Sequence, residues 1–214
     1  MRTSSLLACG VAAGPLYVLV GVAAVLGRPG FDPTRHDLSL MSNGDFGWVH
    51  IGLLIVTGFL VLGSSLGVRR ALGAGRASVW GPRLLALYGV GLVGAGVFVA
   101  DPAFGFPPGT PPDAHDVTWR GLMHLVSGAV GFAGLVAGCF VLARRFTADN
   151  RPGWAAYSRL TGTLFLFGFL GIASGSQQGG TVATLVVLAF TAAVVLAWTW
   201  LSAVQLHLMK EVPA

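Results

Sequence analysis

Charge is what this chain has least of. Only 10% of its 214 residues are Asp, Glu, Lys or Arg, where a soluble domain carries about 25%. A soluble all-α fold would need solvated helix faces, and the long apolar stretches here have none. Cysteine is nearly missing too. The two present, Cys9 and Cys139, sit inside apolar stretches, so no disulfide framework is implied and both read as small packing groups. No His-x-x-x-His or His-Glu-x-x-His pair offers a zinc signature. Ser39 with a histidine would make a nucleophile pair, but no Gly-x-Ser-x-Gly elbow is expected in the chain. The glycine-rich segments lie inside helical runs, so none is a phosphate loop.

What is abundant is apolar length. The chain is 54% hydrophobic with a mean hydropathy of +0.76. Six stretches are long and uncharged enough for bilayer-spanning helices: 6–26, 48–68, 84–100, 121–143, 158–174 and 181–201. The fifth is the weakest, being short and flanked by Arg159 and the polar SGSQQGG. The first follows Arg2 as a signal peptide would, but it is too long for a signal core and lacks a clear cleavage motif. The expected fold is all-α: a polytopic membrane protein, with residues 1–214 forming a single six-helix transmembrane domain. Its expected partner is the lipid bilayer.

The net charge of +5 resolves into a topology. Ten of the thirteen basic residues lie at the termini and in the second and fourth loops. Only Arg28, Arg35 and Arg120 lie in the first and third. By the positive-inside rule both termini are cytoplasmic, as in a bacterial inner-membrane protein. Because the basic residues follow the topology, they argue against nucleic-acid binding. The acids segregate oppositely: Asp32, Asp37, Asp45, Asp101, Asp113 and Asp116 fall on the outer side, with only Asp149 and Glu211 inside. Four of the five histidines, His36, His50, His115 and His124, belong to the outer half; His207 sits at the cytoplasmic end.

Helical spacing gathers these outer groups. His124 and Ser127 are three apart and share a face with Gly128 and Gly131, continued by Gly134 and Gly138. That small-residue face should pack against a neighbouring helix and carry His124 into the bundle. His50, Thr57 and Ser64 recur every seven residues as one polar stripe. Asp101 follows Gly94 by seven. The fifth helix offers Thr161, Gly168, Gly171 and Ser174, then Gln177 and Gln178 in the outer turn. Ionisable groups at membrane depth are costly unless paired or hydrated, so they should converge on a shared pocket. The candidate catalytic residues are His124, Asp101, His50, Ser127, Asp37 and Ser39. Each has a plainer reading. The histidines can bond a neighbouring helix, Asp101 can be a solvated helix stop, and "DLSLMSNGD" can be a capped, Asx-turn-rich loop. Asp113, His115 and Asp116 read as a solvated face, with Asp116 a candidate cap for the fourth helix. No metal or cofactor is specified.

At "HDLSLMSNGDFGWVHIG" and "AGVFVADPAFGFPPGTP…TWRGLMHLVSG" the chain resembles domain-of-unknown-function family 998, a bacterial integral membrane family. The residues that carry the likeness are Asp37, Ser39, Trp48, Asp101, Pro102, Pro107, His124 and Ser127. A fainter likeness points to six-helix membrane proteins of the Frag1/DRAM/Sfk1 type. The resemblance implies a fold class and a polar outer site, but no reaction. Three functions fit the residues. The first is an intramembrane enzyme acting on a lipid or isoprenoid-like, hydrophobic small-molecule substrate. The second is a non-catalytic binding or assembly module. The third is a small-solute or proton-coupled transporter, disfavoured because the ionisable groups gather at one face rather than at midplane.

Overall fold

The computed structural model describes residues 1–114, 116–175 and 180–212. Six α-helices follow one another: α1 (Thr3–Leu26), α2 (Gly47–Ala71), α3 (Arg76–Val97), α4 (Trp119–Ala148), α5 (Pro152–Gly175) and α6 (Gly180–Glu211), with a 3-10 turn, Leu38–Ser42, between α1 and α2. Among the described residues there is no strand, only an isolated bridge between Ala103 and Phe106. The fold is all-α. Five helices are long and apolar enough to cross a membrane, and the protein is a multi-pass membrane protein. The helix that falls short is α3 rather than α5. Pro82, Arg83 and a run of glycines dilute its hydropathy, although it is continuous for 22 residues. The helices overrun the apolar stretches, α6 and α4 chiefly at their C-terminal ends and α3 and α5 at their N-terminal ends, while α3 stops at Val97, short of the expected end at residue 100. Hydropathy marks the depth of the hydrocarbon, while backbone hydrogen bonding continues past it. Pro15 and Pro82 lie inside α1 and α3, which run on through them.

Each helix packs on its chain neighbours and α6 returns to α1, closing a ring. The basic end is tied by the short connections. Arg70 donates to Met1 O at 2.9 Å, Arg145 donates to Leu72 O at 3.0 Å, and Arg151 pairs with Glu211 at 2.6 Å. His207 belongs to this end, stacked on Trp154 at 4.5 Å. Small residues set the helix crossings, because lipid gives no hydrophobic drive to helix association and close backbone contact must supply it. Gly10 and Gly14 of α1 meet α6, where the Ser202 hydroxyl donates to Gly10 O at 3.0 Å and accepts from Gly14 N at 3.2 Å. The polar stripe of α2 faces inward: Thr57 and Ser64 are fully buried, and Gln205 Nε2 donates to Ser64 Oγ at 3.0 Å. The glycine face of α4 divides. Gly131 and Gly134 lie against the backbone of α3, whereas Gly128 has open space where its side chain would be. Large apolar side chains such as Leu19, Phe59, Val90, Phe167 and Leu185 are exposed around the outside of the ring, as lipid-facing residues would be.

The acidic end is capped by its two long loops, which share a small core of Phe31, Leu40, Met41 and Phe106. Arg28 pins this cap. Its buried guanidinium donates to Met41 O, and to Asn43 O at 2.6 Å, while lying 5.8 Å from the Phe106 ring centre. Arg28→Leu keeps the bulk and leaves both carbonyls without this donor. It is expected to cost about 2–4 kcal/mol, since hydrogen bonds to charged groups contribute about 1.5–3 kcal/mol each and part is regained by water. A thermal melt in detergent beside wild type reads the loss; an unchanged midpoint would show that the cap is not held by Arg28.

Candidate functional site

The first-loop histidine is accounted for by the cap. His36 Nδ1 accepts from Asp32 N at 2.9 Å, so its proton is on Nε2, which donates to Phe104 O at 3.1 Å and joins the two loops. The Asx turn of this loop is made by Asp32, whose Oδ1 accepts from Thr34 N at 2.9 Å and Thr34 Oγ1 at 2.7 Å. Those bonds hold the Asp32 carboxyl below the usual range. Asp37 is different. It stands at the N-cap position of the 3-10 turn, yet its side chain makes no capping bond. Its Oδ1 is buried without a partner. Burial pushes the Asp37 carboxyl up to about 6, because a low-dielectric site disfavours the charged form.

Asp101 and Ser127 stand outside the main cavity. Asp101 lies just past the end of α3 and accepts from Thr118 N and Thr118 Oγ1, both at 2.7 Å. Thr118 in turn caps α4, accepting from Gly121 N at 3.2 Å. The cap expected of Asp116 is therefore made by Thr118, with Asp101 behind it. Nearness matters here: a side chain at Gly121 would collide with the Asp101 carboxylate. Ser127 faces Gly94 of α3 at the helix crossing and does not line the main cavity. Thr161 Oγ1 is buried without a partner, also away from that cavity. His115, Gln177 and Gln178 lie outside the described residues. The string Gly63-Ser64-Ser65-Leu66-Gly67 spells Gly-x-Ser-x-Gly, but it is interior to α2, with Ser65 Oγ donating to Leu62 O at 2.7 Å.

The remaining four candidates come together. His50, His124, Asp37 and Ser39 all line one cavity of about 150 Å³ under the loop cap. His124 is 7% exposed, and its Nδ1 lies 2.8 Å from both Ala95 O and Phe98 O. Two carbonyls can only accept, so Nδ1 carries the proton and Nε2 presents a lone pair whenever the ring is neutral. The exposed end carbonyls of α3 thus fix the tautomer. His50 is 3% exposed, and its Nδ1 has no partner. Tyr17 presents an edge to it at 6.5 Å and stacks on Trp198 at 4.6 Å.

Below these polar groups the cavity is an apolar chamber of Phe132, Phe165, Phe169, Phe190 and Val194, with Phe132 at 5.0–5.8 Å from three of the other rings. Above them a second cavity of about 130 Å³ runs under the loops past Asp101 and Asp116. Asp37, Ser39, His124 and Leu125 line both. They form a polar neck between an aromatic chamber in the bundle and a groove at the acidic end. Tyr17, Tyr88, Trp198 and the phenylalanines gave no signal in the sequence, because an aromatic residue in an apolar helix has no contrast with its neighbours. Among the described residues no three His, Cys, Asp or Glu side chains cluster to hold a metal.

A family model described as "Protein of unknown function (DUF998)" matches residues 11–207. No curated protein and no solved structure matches the chain.

Proposed function

The chain belongs to the DUF998 family of proteins of unknown function, and from that premise we propose that it is a six-span, inner-membrane enzyme acting on a lipid or isoprenoid-like substrate at its extracytoplasmic end. Both termini are cytoplasmic in this reading, with residues 1–214 one domain. α3 is the sixth span. From Trp80 to Val97 it rises about 26 Å, close to the ~30 Å of a hydrocarbon core. Trp80 and Arg83, 5.6 Å apart, suit the basic interface, and Trp48 and Trp119 suit the acidic one.

The observation that carries the catalytic reading is the neck. Asp37 Oδ1 and His50 Nδ1 are buried without partners, one wall of the neck and one of the chamber below it. A buried polar atom left unpaired costs about 1–3 kcal/mol, which a ligand's polar head would offset. In that neck the His124 Nε2 lone pair is the base and Asp37, with a carboxyl near 6, is the acid. The Asp37 carboxyl sits close enough to neutral for general acid–base chemistry. Ser39 is the hydroxyl beside them.

The second reading is a binding module for the same lipid. It is favoured by the hydrogen bonding of His124 Nδ1 to two carbonyls of α3, which also suits a purely structural histidine. The test is protein in nanodiscs incubated with a membrane lipid extract and followed by mass spectrometry. The enzyme reading expects wild type to convert a lipid, and His124→Gln and Asp37→Asn to lose turnover by about 10²-fold or more while both variants remain folded. Co-purified lipid that is never converted, but is lost in both variants, would replace the enzyme by the module.

A further inference from the structure

Resting on that reading of the neck, we infer that its ligand is a neutral, hydroxyl-headed long-chain lipid that enters sideways from the bilayer between α4 and α5. The head follows from what lines the two cavities. No lysine or arginine side chain is among the lining residues, and Arg28 is occupied by Met41 O and Asn43 O. The groups on offer are acceptors: His124 Nε2, the unpartnered Asp37 Oδ1, and His50 Nδ1 when it carries no proton. A phosphate would bring its charge to a lining with no lysine or arginine to balance it. A hydroxyl would donate to one acceptor and accept from Ser39.

The size and the open side give the tail. A cavity of about 150 Å³ accommodates a benzene-sized group, roughly five or six carbons. A longer chain must leave. Leu125, Gly128, Ala129 and Phe132 share one face of α4 and all line the chamber. Yet Leu125 is 59% exposed, Ala129 is exposed, and nothing lies within 4 Å of a side chain built at Gly128. Residues that are both cavity wall and outer surface mark an opening. Gly128 lies nine residues below Trp119, about 14 Å along the helix, so the opening is at hydrocarbon depth.

The experiment uses full-length protein in phosphatidylcholine vesicles doped with a long-chain primary alcohol that carries a diazirine at its fifth or its fifteenth carbon. After photolysis, the fifth-carbon probe is expected to label the peptides holding Phe132, Phe165 and Phe169, and the fifteenth-carbon probe not to. Excess hexadecanol should compete and hexadecyl phosphate should not. Gly128→Leu should cut labelling about tenfold, while Gly128→Ala keeps it; melts of both variants show whether they are folded. Equal competition by hexadecyl phosphate would overturn the neutral head and leave the lipid-site reading standing. Undiminished labelling in folded Gly128→Leu would overturn the sideways route. Chamber peptides that no probe labels would sink the proposal and the lipid-site reading together.

Discussion

Gly91→Val is expected to push α3 away from α4 and to lower the melting point by several degrees or more. A side chain at Gly91 would come within 2.5 Å of Gly131 Cα and 2.6 Å of Ser127 O. Both are backbone atoms and neither can swing aside. Overpacking a core costs about 1–3 kcal/mol, and the upper end or beyond applies when backbone must move. The reciprocal position is more forgiving, since a side chain at Gly131 would meet Gly91 Cα at 3.1 Å. Gly91→Ala should therefore destabilise more than Gly131→Ala. An equal effect of the two would show that the crossing is looser than described. The consequence reaches the site, because α3 ends in the two carbonyls that grip His124 Nδ1. Shifting α3 removes what fixes the tautomer, and nitrogen-15 spectra of the imidazole should show exchange between the two tautomers in Gly91→Ala where wild type shows one.

Asp37→Asn is the second large effect, and its sign depends on pH. The carboxyl titrates near 6 in the folded chain because of burial, above its ordinary 3.8. The folded state thus binds the proton more tightly than the unfolded one. Below about pH 4 both states are protonated and Asp37 costs nothing. Between pH 4 and 6 the cost grows, and above 6 it is complete, at about 3 kcal/mol for a shift of some two units. The amide carries no charge, so the variant should be more stable than wild type at pH 7–8, and the advantage should fade toward pH 4. Other carboxyls titrate too, and Asp32 acts in the opposite sense: its lowered carboxyl adds stability at higher pH that is lost as pH falls. Only the difference between wild type and variant isolates Asp37. A pH-independent difference would place the Asp37 carboxyl in water.

The two substitutions also mark what the sequence makes legible. Helix number was readable because a bilayer demands long apolar runs, and little else produces them. Helix ends were not, since α4 and α6 continue into polar turns that hydropathy does not register. Gly128 and Gly131 are equivalent in the pattern, one turn apart on one face. Only the placement of α3 and α5 makes one a contact and the other a gap. His124 could be found from its spacing to the small residues. The carbonyls that orient it belong to another helix and carry no residue-level signature. Asp101 stands out in the sequence by its spacing from Gly94, but its partner Thr118 is seventeen residues away across a loop. The same polarity that marks an ionisable group for function also marks it as a cap.

Ring closure fixes the order in which the molecule can become competent. The hydrogen bonds of α6 to α1 and α2 link residues 188, 192 and 141 positions apart. Phe190, Val194 and Trp198, which wall the chamber, lie on that same last helix. A chain made from its N-terminus therefore holds the two histidines and Asp37 in the membrane well before the wall that encloses them exists. Until α6 docks, Ser64 lacks its donor Gln205, and the glycines of α1 face lipid. A polar hole facing the acyl chains is a costly intermediate. It is also one that membrane quality control would recognise, so a chain truncated before Gly180 should be cleared rather than accumulate as an open, unregulated site.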